Sequence, residues 1–314
     1  MTTVVPREAL PQWNDLVAAH ALGWWWHRTE WIDYCTAYHP RSEDHSFAVM
    51  DGTEVVALVP MVIDQRRVVC GGQVPKMLLV IGDRDMATLV DQLAGHLATL
   101  PVDNPFAELE AVPWLWQPAF ARLPHQLCDT FVVELWHNED ELFARIRKSY
   151  RHLIRDAERE FYMQTISAVT PSAALRAMDH AHALHTAAAG RETRSQATWD
   201  MMANWVRAGN AVLALAYHDG SVPVGYAYVI RDKAWAYYAS GAVVNDASGH
   251  RARGVAHALQ WRVMRALRAG ESKFYELGHA ADDASSSKDA GIALFKSGFG
   301  GVKMPVISIR ETAR

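Results

Sequence analysis

A repeated turn constrains the fold of this chain more than any other feature. The pair Asp-Gly occurs at 51–52 and again at 219–220, each time between two apolar stretches. Such a pair between apolar runs predicts a β-hairpin. The stretches are 47–50 and 53–60 in the first copy, and 213–218 and 221–229 in the second. The turns lie 219 − 51 = 168 residues apart, an ordinary domain length, so the pattern predicts a duplicated domain.

Length and composition agree with two domains. The chain has 314 residues, half of them apolar, which is enough for two separate cores. We place an N-terminal domain at 1–144, which 305–314 could complete, and a C-terminal domain at 145–304. A helix over 141–161 is predicted to link them, because apolar residues repeat along one side and arginines along another.

Strands and helices are predicted to alternate in both halves, which indicates an α/β fold. The second hairpin is followed by a strand at 234–244, a helix at 254–268, a strand at 274–278, a polar loop at 280–289, a helix at 291–296 and a strand at 302–310. The first half adds a helix at 84–97 and strands at 106–112 and 130–136.

Charge is distributed unevenly between the halves. Residues 1–140 hold 8 Lys and Arg against 19 Asp and Glu, a net of −11, whereas residues 141–314 hold 23 against 16, a net of +7. The two sums give the overall −4. A basic half can attract RNA or a nucleotide phosphate, although attraction between the domains explains the asymmetry equally well.

Cysteine usage and the N-terminus favour a soluble cytoplasmic protein. The three cysteines, Cys35, Cys70 and Cys128, are odd in number and form no CxxC pair, so neither a disulfide framework nor a thiolate metal site is indicated. We predict no metal, since His180, His182 and His185 lack the companions of a metal motif. The first residues lack a secretion signal, and no apolar run is long enough to span a bilayer.

Three motifs carry a resemblance to a known family. They are HALQW at 257–261, FKSGF at 295–299 and a basic helix at 147–155. With the order of strands and helices, they resemble the Fem family of aminoacyl-tRNA-dependent peptidyl transferases, which have two GNAT-like acyltransferase domains in tandem. The resemblance implies that each domain is a mixed β-sheet flanked by helices, and that the transfer site lies in the C-terminal domain.

The resemblance also implies a reaction. Fem proteins join an amino acid from aminoacyl-tRNA to the amine of a cell-wall precursor or of a small peptide natural product. By that resemblance Lys296 is the catalytic residue, and Phe295 and Lys296 lie beside the terminal adenosine of the tRNA and the reacting ester. Phe299 is a further candidate for binding the substrate or the tRNA. A fixed ammonium can stabilise the oxyanion that forms when an amine attacks an ester. No permanently bound cofactor is implied, only the co-substrate aminoacyl-tRNA.

Several basic residues are candidates for the tRNA or the acceptor. Arg147, Lys148, Arg151 and Arg155 could follow an RNA backbone, or could be solvated or paired with acidic residues. Arg191 and Arg194 belong to a segment that resembles the one reaching the acceptor's phosphate or carboxylate in the family. Cell-wall members carry a basic residue soon after the tryptophan that corresponds to Trp31, and this chain does not, so the acceptor stays open.

Two other readings remain open. Arg251, Arg253 and Gly254 match the pyrophosphate-binding pattern of ordinary GNAT enzymes, which makes acyl-CoA the alternative donor. A catalytically silent tandem domain that binds nucleic acid or a protein would keep the fold without needing the lysine. Glu108 and Glu110 lie on one face of a predicted strand, so either could accept the proton of the amine. The sequence identifies neither the amino acid, the acceptor, the pathway nor the oligomeric state.

Overall fold

The chain divides into two compact units in the computed structural model. Unit 1 comprises Met1–Cys128 with Pro305–Arg314, and unit 2 comprises Asp129–Met304. The structure describes residues 2–70, 79–81, 86–106, 110–111, 125–244, 252–280 and 287–309. The division falls at Cys128, whereas the sequence placed it at 144, because residues 129–134 pair with a strand of unit 2.

Unit 1 contains a four-stranded antiparallel sheet and a small three-stranded sheet. Its strands are β1 (Thr2–Pro6), β2 (Ser42–Asp44), β3 (Phe47–Asp51), β4 (Glu54–Val59), β5 (Val62–Asp64), β6 (Arg67–Val68), β7 (Leu79–Val80) and β8 (Glu110–Ala111). Its helices are α1 (Trp13–Ala19), α2 (Thr29–Tyr38) and α3 (Met86–Leu97). The strands run in the orders β1-β3-β4-β7 and β2-β5-β6.

The core of unit 1 explains why the first hairpin forms. Phe47, Val49, Ala57 and Val59 alternate along β3 and β4 and point to one buried face. Leu89 and Leu93 of α3 pack on that face at the spacing of one helical turn. The turn follows the Asp-Gly prediction, with Gly52 in the left-handed region at φ +61°.

Unit 2 is built on a larger mixed sheet. Its strands are β9 (His125–Glu134), β10 (Tyr162–Ile166), β11 (Ala211–His218), β12 (Val222–Asp232), β13 (Trp235–Val243) and β14 (Phe274–Ala280). The last strand, β15 (Val302–Ile309), begins in unit 2 and belongs to unit 1 from Pro305 onwards. The helices of unit 2 are α4 (Glu139–Arg145), α5 (Lys148–Glu160), α6 (Pro171–Ala189), α7 (Gln196–Ala208), α8 (Val255–Ala269) and α9 (Ser287–Lys296). The order β10-β11-β12-β13-β14-β9 is antiparallel except for the parallel pair β13-β14. None of the helices in the described ranges combines the length and hydropathy that a bilayer crossing requires.

Opposite faces of this sheet carry different helices. On one face, Tyr228 of β12 donates a hydrogen bond to the Met202 carbonyl of α7 at 3.0 Å. On the other face, Gly225 lies so close to α8 that a Cβ added at this glycine would lie 2.9 Å from the Val255 side chain. Helices α6 and α7 therefore cover the face that carries the even-numbered tyrosines of β12, and α8 covers the opposite face.

The parallel strands β13 and β14 separate soon after they meet. Their described pairing joins Trp235 to Phe274 and ends with Tyr237 opposite Glu276. Beyond that point β13 carries an extra residue between Tyr238 and Ser240 relative to β12. Such a bulge increases twist and bends the strand. The separation opens one end of the sheet within unit 2.

The single linking helix predicted over 141–161 is wrong, because the structure has two helices, α4 and α5. Ile146 adopts an extended backbone, with ψ of 137°, and ends α4. The backbone amide of Arg147 then donates to the carbonyl of Gly298 at 2.9 Å, a bond from outside the helix. The turn at Gly298 thus provides the hydrogen-bond acceptor for the Arg147 amide, whereas in an unbroken helix a carbonyl of the same helix would accept that bond.

Two further boundaries differ from the sequence predictions. Helix α9 begins at Ser287, so the polar loop predicted over 280–289 is wrong for its last residues, while 281–286 lie outside the described residues. Of the strand predicted over 106–112, the structure describes a strand only at Glu110–Ala111, which pairs with Ser308 and Ile307 of β15.

Candidate active site

The glycine-rich turn after α9 packs against the break between α4 and α5. A Cβ on Gly298 would overlap the ring of Tyr150, so only glycine fits beneath that ring. The hydroxyl of Tyr150 donates to the Leu294 carbonyl at 3.0 Å, and the Arg147 guanidinium donates to Ser297 Oγ at 3.0 Å. The broken helix therefore holds the FKSGF turn in place.

An aromatic cluster fills the space behind this turn. The ring of His257 lies edge-on to Tyr150 at 4.3 Å between centroids and to Phe295 at 5.1 Å. Phe295 and Phe299 meet edge to face at 5.0 Å. Phe299 is fully buried, whereas Phe295 keeps part of its surface exposed. Burial lowers the pKa of His257 to about 4, so this imidazole is neutral at pH 7.

The Lys296 ammonium lies beside β14. Its Nζ donates to the His279 carbonyl at 3.1 Å, whereas the two phenyl rings that flank Lys296 in sequence contact each other. The side chain is partly buried. Burial lowers the pKa of Lys296, and the nearby charge of Glu276 opposes that shift. The lysine is therefore a partly desolvated cation held on a backbone carbonyl.

Gly278 allows this close approach. It has a left-handed φ of +85°, and a Cβ there would lie 3.0 Å from Lys296 Nζ and 3.8 Å from the Tyr237 ring. The pairing of β14 with β9 shifts register between Glu276 and Gly278. The ammonium and the Tyr237 ring thus border the same point, next to the place where β13 and β14 separate.

Glu276 is a functional candidate that the sequence analysis missed. Its side chain is fully buried, and one carboxylate oxygen accepts a hydrogen bond from Thr130 Oγ1 at 2.8 Å. A buried carboxylate near an ammonium favours the protonated lysine. The available signal was a single acidic residue inside the apolar strand 274–278.

The predicted basic face of α5 is only partly exposed. Arg147, at the N-cap, packs its guanidinium over the Tyr150 ring at 4.9 Å. Arg155 places its guanidinium over the Phe143 ring at the same distance. Lys148 and Arg155 are exposed and Arg151 is half-buried, so these three keep surface toward solvent. Their role in binding RNA stays a prediction.

The pyrophosphate-like segment has a structural explanation for its glycine. Gly254 precedes α8 with a left-handed φ of +80°, and a Cβ there would lie 2.5 Å from the Leu153 carbonyl oxygen of α5. Arg253 is exposed, and Arg251 lies outside the described residues. Close packing of two helices therefore requires this glycine whether or not a phosphate binds.

The candidate acceptor segment 191–194 contacts both α6 and α7. Arg194 stacks over Trp199 at 5.0 Å, and its Nη1 lies 3.5 Å from the sulfur of Met202. Thr193 Oγ1 lies 2.7 Å from His185 Nε2. Arg191 is exposed. Of the two arginines, Arg194 is thus held by unit 2 itself, and Arg191 is turned to solvent.

The remaining predictions concern a base and a metal. Glu108 lies outside the described residues, and for Glu110 only the backbone is described, so neither prediction of a base is tested. Within the described ranges, no group of three His, Cys, Asp or Glu side chains could hold a metal ion. Cys35, Cys70 and Cys128 form no disulfide with one another in the structure.

Comparison with known proteins agrees with this architecture. Residues 143–284 match the family model described as an acetyltransferase (GNAT) domain. No curated protein sequence matches the chain.

Solved structures match nearly the whole chain at low identity. The crystal structure of FemX is similar with a TM-score of 0.64 and 13% identity, covering 99% of this chain and 98% of that one. The C-terminal domain of a protein assigned as a lysylphosphatidylglycerol synthetase, from Agrobacterium fabrum, is similar with a TM-score of 0.57 and 15% identity. That likeness covers 90% of this chain and 92% of that one. A tandem GNAT protein from the clavulanic acid biosynthesis pathway is similar with a TM-score of 0.52 and 16% identity, and the likeness covers 100% of both chains.

These likenesses establish the fold rather than the substrates, because the identities are low. Two mixed α/β units, each GNAT-like, make up the chain. The chain therefore has a Fem-like tandem GNAT fold, and residues 143–284 match the model of an acetyltransferase (GNAT) domain.

Proposed function

We propose that this protein is an aminoacyltransferase, which moves an aminoacyl group from aminoacyl-tRNA to the amine of a peptide or small-molecule acceptor. Natural-product or cell-wall precursor biosynthesis would use such a reaction. The observation that carries the proposal is the Lys296 ammonium, partly desolvated and held at 3.1 Å on the His279 carbonyl. The reaction needs no permanently bound cofactor and takes place in the cytoplasm, where charged tRNA is available.

The chemistry fits what this ammonium can do. Attack of an amine on the ester of aminoacyl-tRNA places negative charge on the former carbonyl oxygen. A preorganised donor beside that oxygen stabilises the transition state by about 3–4 kcal/mol, and the effect grows where water is excluded. Burial lowers the pKa of Lys296, and the charge of Glu276 opposes that shift and favours the protonated lysine, so we assign Lys296 as an electrostatic partner and not as a base.

The aromatic and basic residues would serve the tRNA. Phe295 keeps part of its surface exposed and could stack on the terminal adenosine, since stacking on an aromatic side chain contributes about 1–3 kcal/mol per base. Phe299 is fully buried and would support Phe295 from behind. Lys148, Arg151 and Arg155 would contact phosphates, which makes binding weaken steeply with salt.

The similar structures support this choice of donor. One is FemX, and another is assigned as a lysylphosphatidylglycerol synthetase, a name that denotes a lysyl product. Both names fit the aminoacyl chemistry that the sequence resemblance implies. The acceptor segment would be 191–194, in which Arg191 is exposed and could pair with an anionic group of the acceptor.

Acyl-CoA is the alternative donor. The match of residues 143–284 to an acetyltransferase (GNAT) domain favours it, and the exposed Arg253 at the start of α8 could bind a phosphate. Stabilisation of the protein against heat by CoA and not by tRNA would support this alternative.

The donor test uses purified protein with bulk charged tRNA carrying radiolabelled amino acids and a panel of amines as acceptors. We expect labelled amide that disappears when the tRNA is digested with ribonuclease beforehand. Transfer that resists ribonuclease and requires acyl-CoA would replace the proposed donor.

The residue test compares two lysines of unit 2. Lys296→Ala is expected to lower the transfer rate by about 10²–10³-fold, the usual effect of losing one oxyanion donor. Lys273→Ala removes an exposed lysine from the same unit and should leave the rate unchanged. Equal rates for the two variants would remove Lys296 from the mechanism.

A further inference from the structure

Four side chains of unit 2 form a continuous hydrogen-bonded chain. Thr193 Oγ1 lies 2.7 Å from His185 Nε2, and His185 Nδ1 lies 2.8 Å from the Tyr226 hydroxyl. The Tyr226 hydroxyl lies 2.6 Å from Ser240 Oγ. Each neighbour is within ordinary hydrogen-bonding distance, so a proton can move along the chain by exchange between adjacent atoms.

One end of this chain lies near the separation of β13 and β14. Ser240 follows the bulge of β13, and its side chain lies on the same face as that of Tyr237. The Tyr237 ring and the Lys296 ammonium lie 3.8 Å and 3.0 Å from the position that a Cβ on Gly278 would occupy. Tyr237 therefore relates the two groups, since the partly buried Ser240 lies on the same face of β13 and the Lys296 ammonium lies beside Gly278 next to the Tyr237 ring.

The surroundings keep the imidazole neutral at pH 7. Burial lowers the pKa of His185, and the charges of Arg194 and His182 lower it further. His182 in turn lies 3.5 Å from Glu192. Burial raises the pKa of Tyr226, while its bond to Ser240 and the charge of Arg194 oppose that shift. A neutral imidazole donates through one nitrogen and accepts through the other.

We infer that Ser240, Tyr226 and His185 form a proton relay that serves the attacking amine, an inference that rests on the proposed function. Ser240 touches the amine, whereas Tyr226 and His185 act through it as positioning residues. With Nε2–H donating to Thr193, His185 Nδ1 is free to accept a proton from Tyr226. The relay gives the reaction a base that none of the sequence motifs contains.

The relay carries one proton in each direction. When the carbon–nitrogen bond forms, the carbonyl electron pair moves to the oxygen beside Lys296. The excess proton on nitrogen passes to Ser240, the proton of Ser240 to Tyr226, and the proton of Tyr226 to His185 Nδ1. When the carbonyl re-forms, the bond to the ribose oxygen breaks, and the proton returns along the same chain to that leaving oxygen. No other acid or base is consumed.

A purely structural role is the competing explanation, since partly buried hydroxyls also require partners. Tyr228 offers a matched control, because it lies on the same strand and face and donates one hydrogen bond, to the Met202 carbonyl. Tyr226→Phe and Tyr228→Phe each remove one hydroxyl and keep the ring. Only the former breaks the relay.

The experiment measures single-turnover transfer to glycinamide, putrescine and alanyl-alanine between pH 6 and 9. Bulk charged tRNA and acetyl-CoA are tried as donors for the wild type, and the active one is used for the variants. We expect Tyr226→Phe to lower the rate at pH 7 about 10²-fold, a typical contribution of general acid–base catalysis, with little change in KM for the amine. Its rate should then rise about tenfold per pH unit, because hydroxide replaces the relay.

A second pair of variants tests Ser240, the residue at the end of the relay. Ser240→Ala should resemble Tyr226→Phe, whereas Ser240→Thr retains a hydroxyl and should recover most of the rate. Equal rates and pH profiles for the variants at 226 and 228 would overturn the relay while leaving the proposed donor intact. Relay effects seen only with acetyl-CoA would keep the relay and reject the tRNA donor. Absence of transfer from both donors would overturn both proposals.

Discussion

The two units carry the same hairpin but use it differently. Each hairpin has an Asp-Gly turn with a left-handed glycine, Gly52 in unit 1 and Gly220 in unit 2, and a shift of register close to it. With the offset of 168 residues, Leu58 corresponds to Tyr226, since 58 + 168 = 226. The Leu58 side chain is fully buried, whereas the hydroxyl of Tyr226 forms hydrogen bonds with His185 and Ser240.

The difference teaches that a duplicated framework does not duplicate the chemistry. Both hairpins gain stability from apolar side chains on one face, because burial of such area is the main favourable term in folding. Unit 2 adds polar atoms on the other face and joins them to α6 and β13. The residues of the proposed relay are therefore additions to a shared scaffold and not consequences of it.

The strongest test of this contrast compares the stability cost of one substitution at each of the two corresponding positions, 58 and 226. Leu58→Ala should destabilise unit 1 by about 2–5 kcal/mol, because a buried methyl-rich side chain leaves a cavity. Tyr226→Phe should cost only about 1 kcal/mol, the loss of a hydrogen bond. Hydrogen exchange resolved by peptide measures each unit separately. Similar destabilisation at both positions would contradict the contrast.

A smaller effect on stability is expected at the FKSGF turn of unit 2. Gly298→Ala should destabilise unit 2 by about 1–3 kcal/mol, because the new Cβ overlaps the Tyr150 ring and forces it to move. Gly291→Ala in α9 meets nothing within 4 Å and should stabilise the helix by about 0.5–1 kcal/mol. Urea unfolding followed by tryptophan fluorescence compares the two. A harmless alanine at 298 would show that the turn is not tightly held.

The smallest expected difference lies in the turns that the units share. Gly52→Ala and Gly220→Ala both meet open space, but both place a Cβ in the left-handed region, at φ +61° and +71°. Each should cost about 1–2 kcal/mol, and the two costs should agree within about 0.5 kcal/mol. Thermal unfolding of the two variants measures this. A large inequality would mean that the hairpins are not equivalent scaffolds.

Local patterns predicted a large part of the fold. Both hairpins, α8 and the last strand lie where the sequence placed them, because their signals depend on neighbouring residues. An Asp-Gly turn fixes its own strand pairing, and apolar spacing fixes the buried face of a helix.

Other features could not be predicted, because they depend on distant partners. The break at Ile146 exists because Arg147 bonds to Gly298, about 150 residues further along the chain. The sequence placed Lys296 between two phenyl rings, yet its ammonium lies on the carbonyl of His279. His185 was considered only as a metal ligand, although it bonds to Tyr226 and Thr193.

The sequence by itself determined the duplication, the alternation of strands and helices and the choice of Lys296 as the candidate lysine, since each depends on short patterns of neighbouring residues. Only the tertiary structure decided where that ammonium lies, which glycines must stay small and which hydroxyls join His185. These properties depend on distances between atoms that are remote in sequence. Packing, and not local conformational preference, sets such distances.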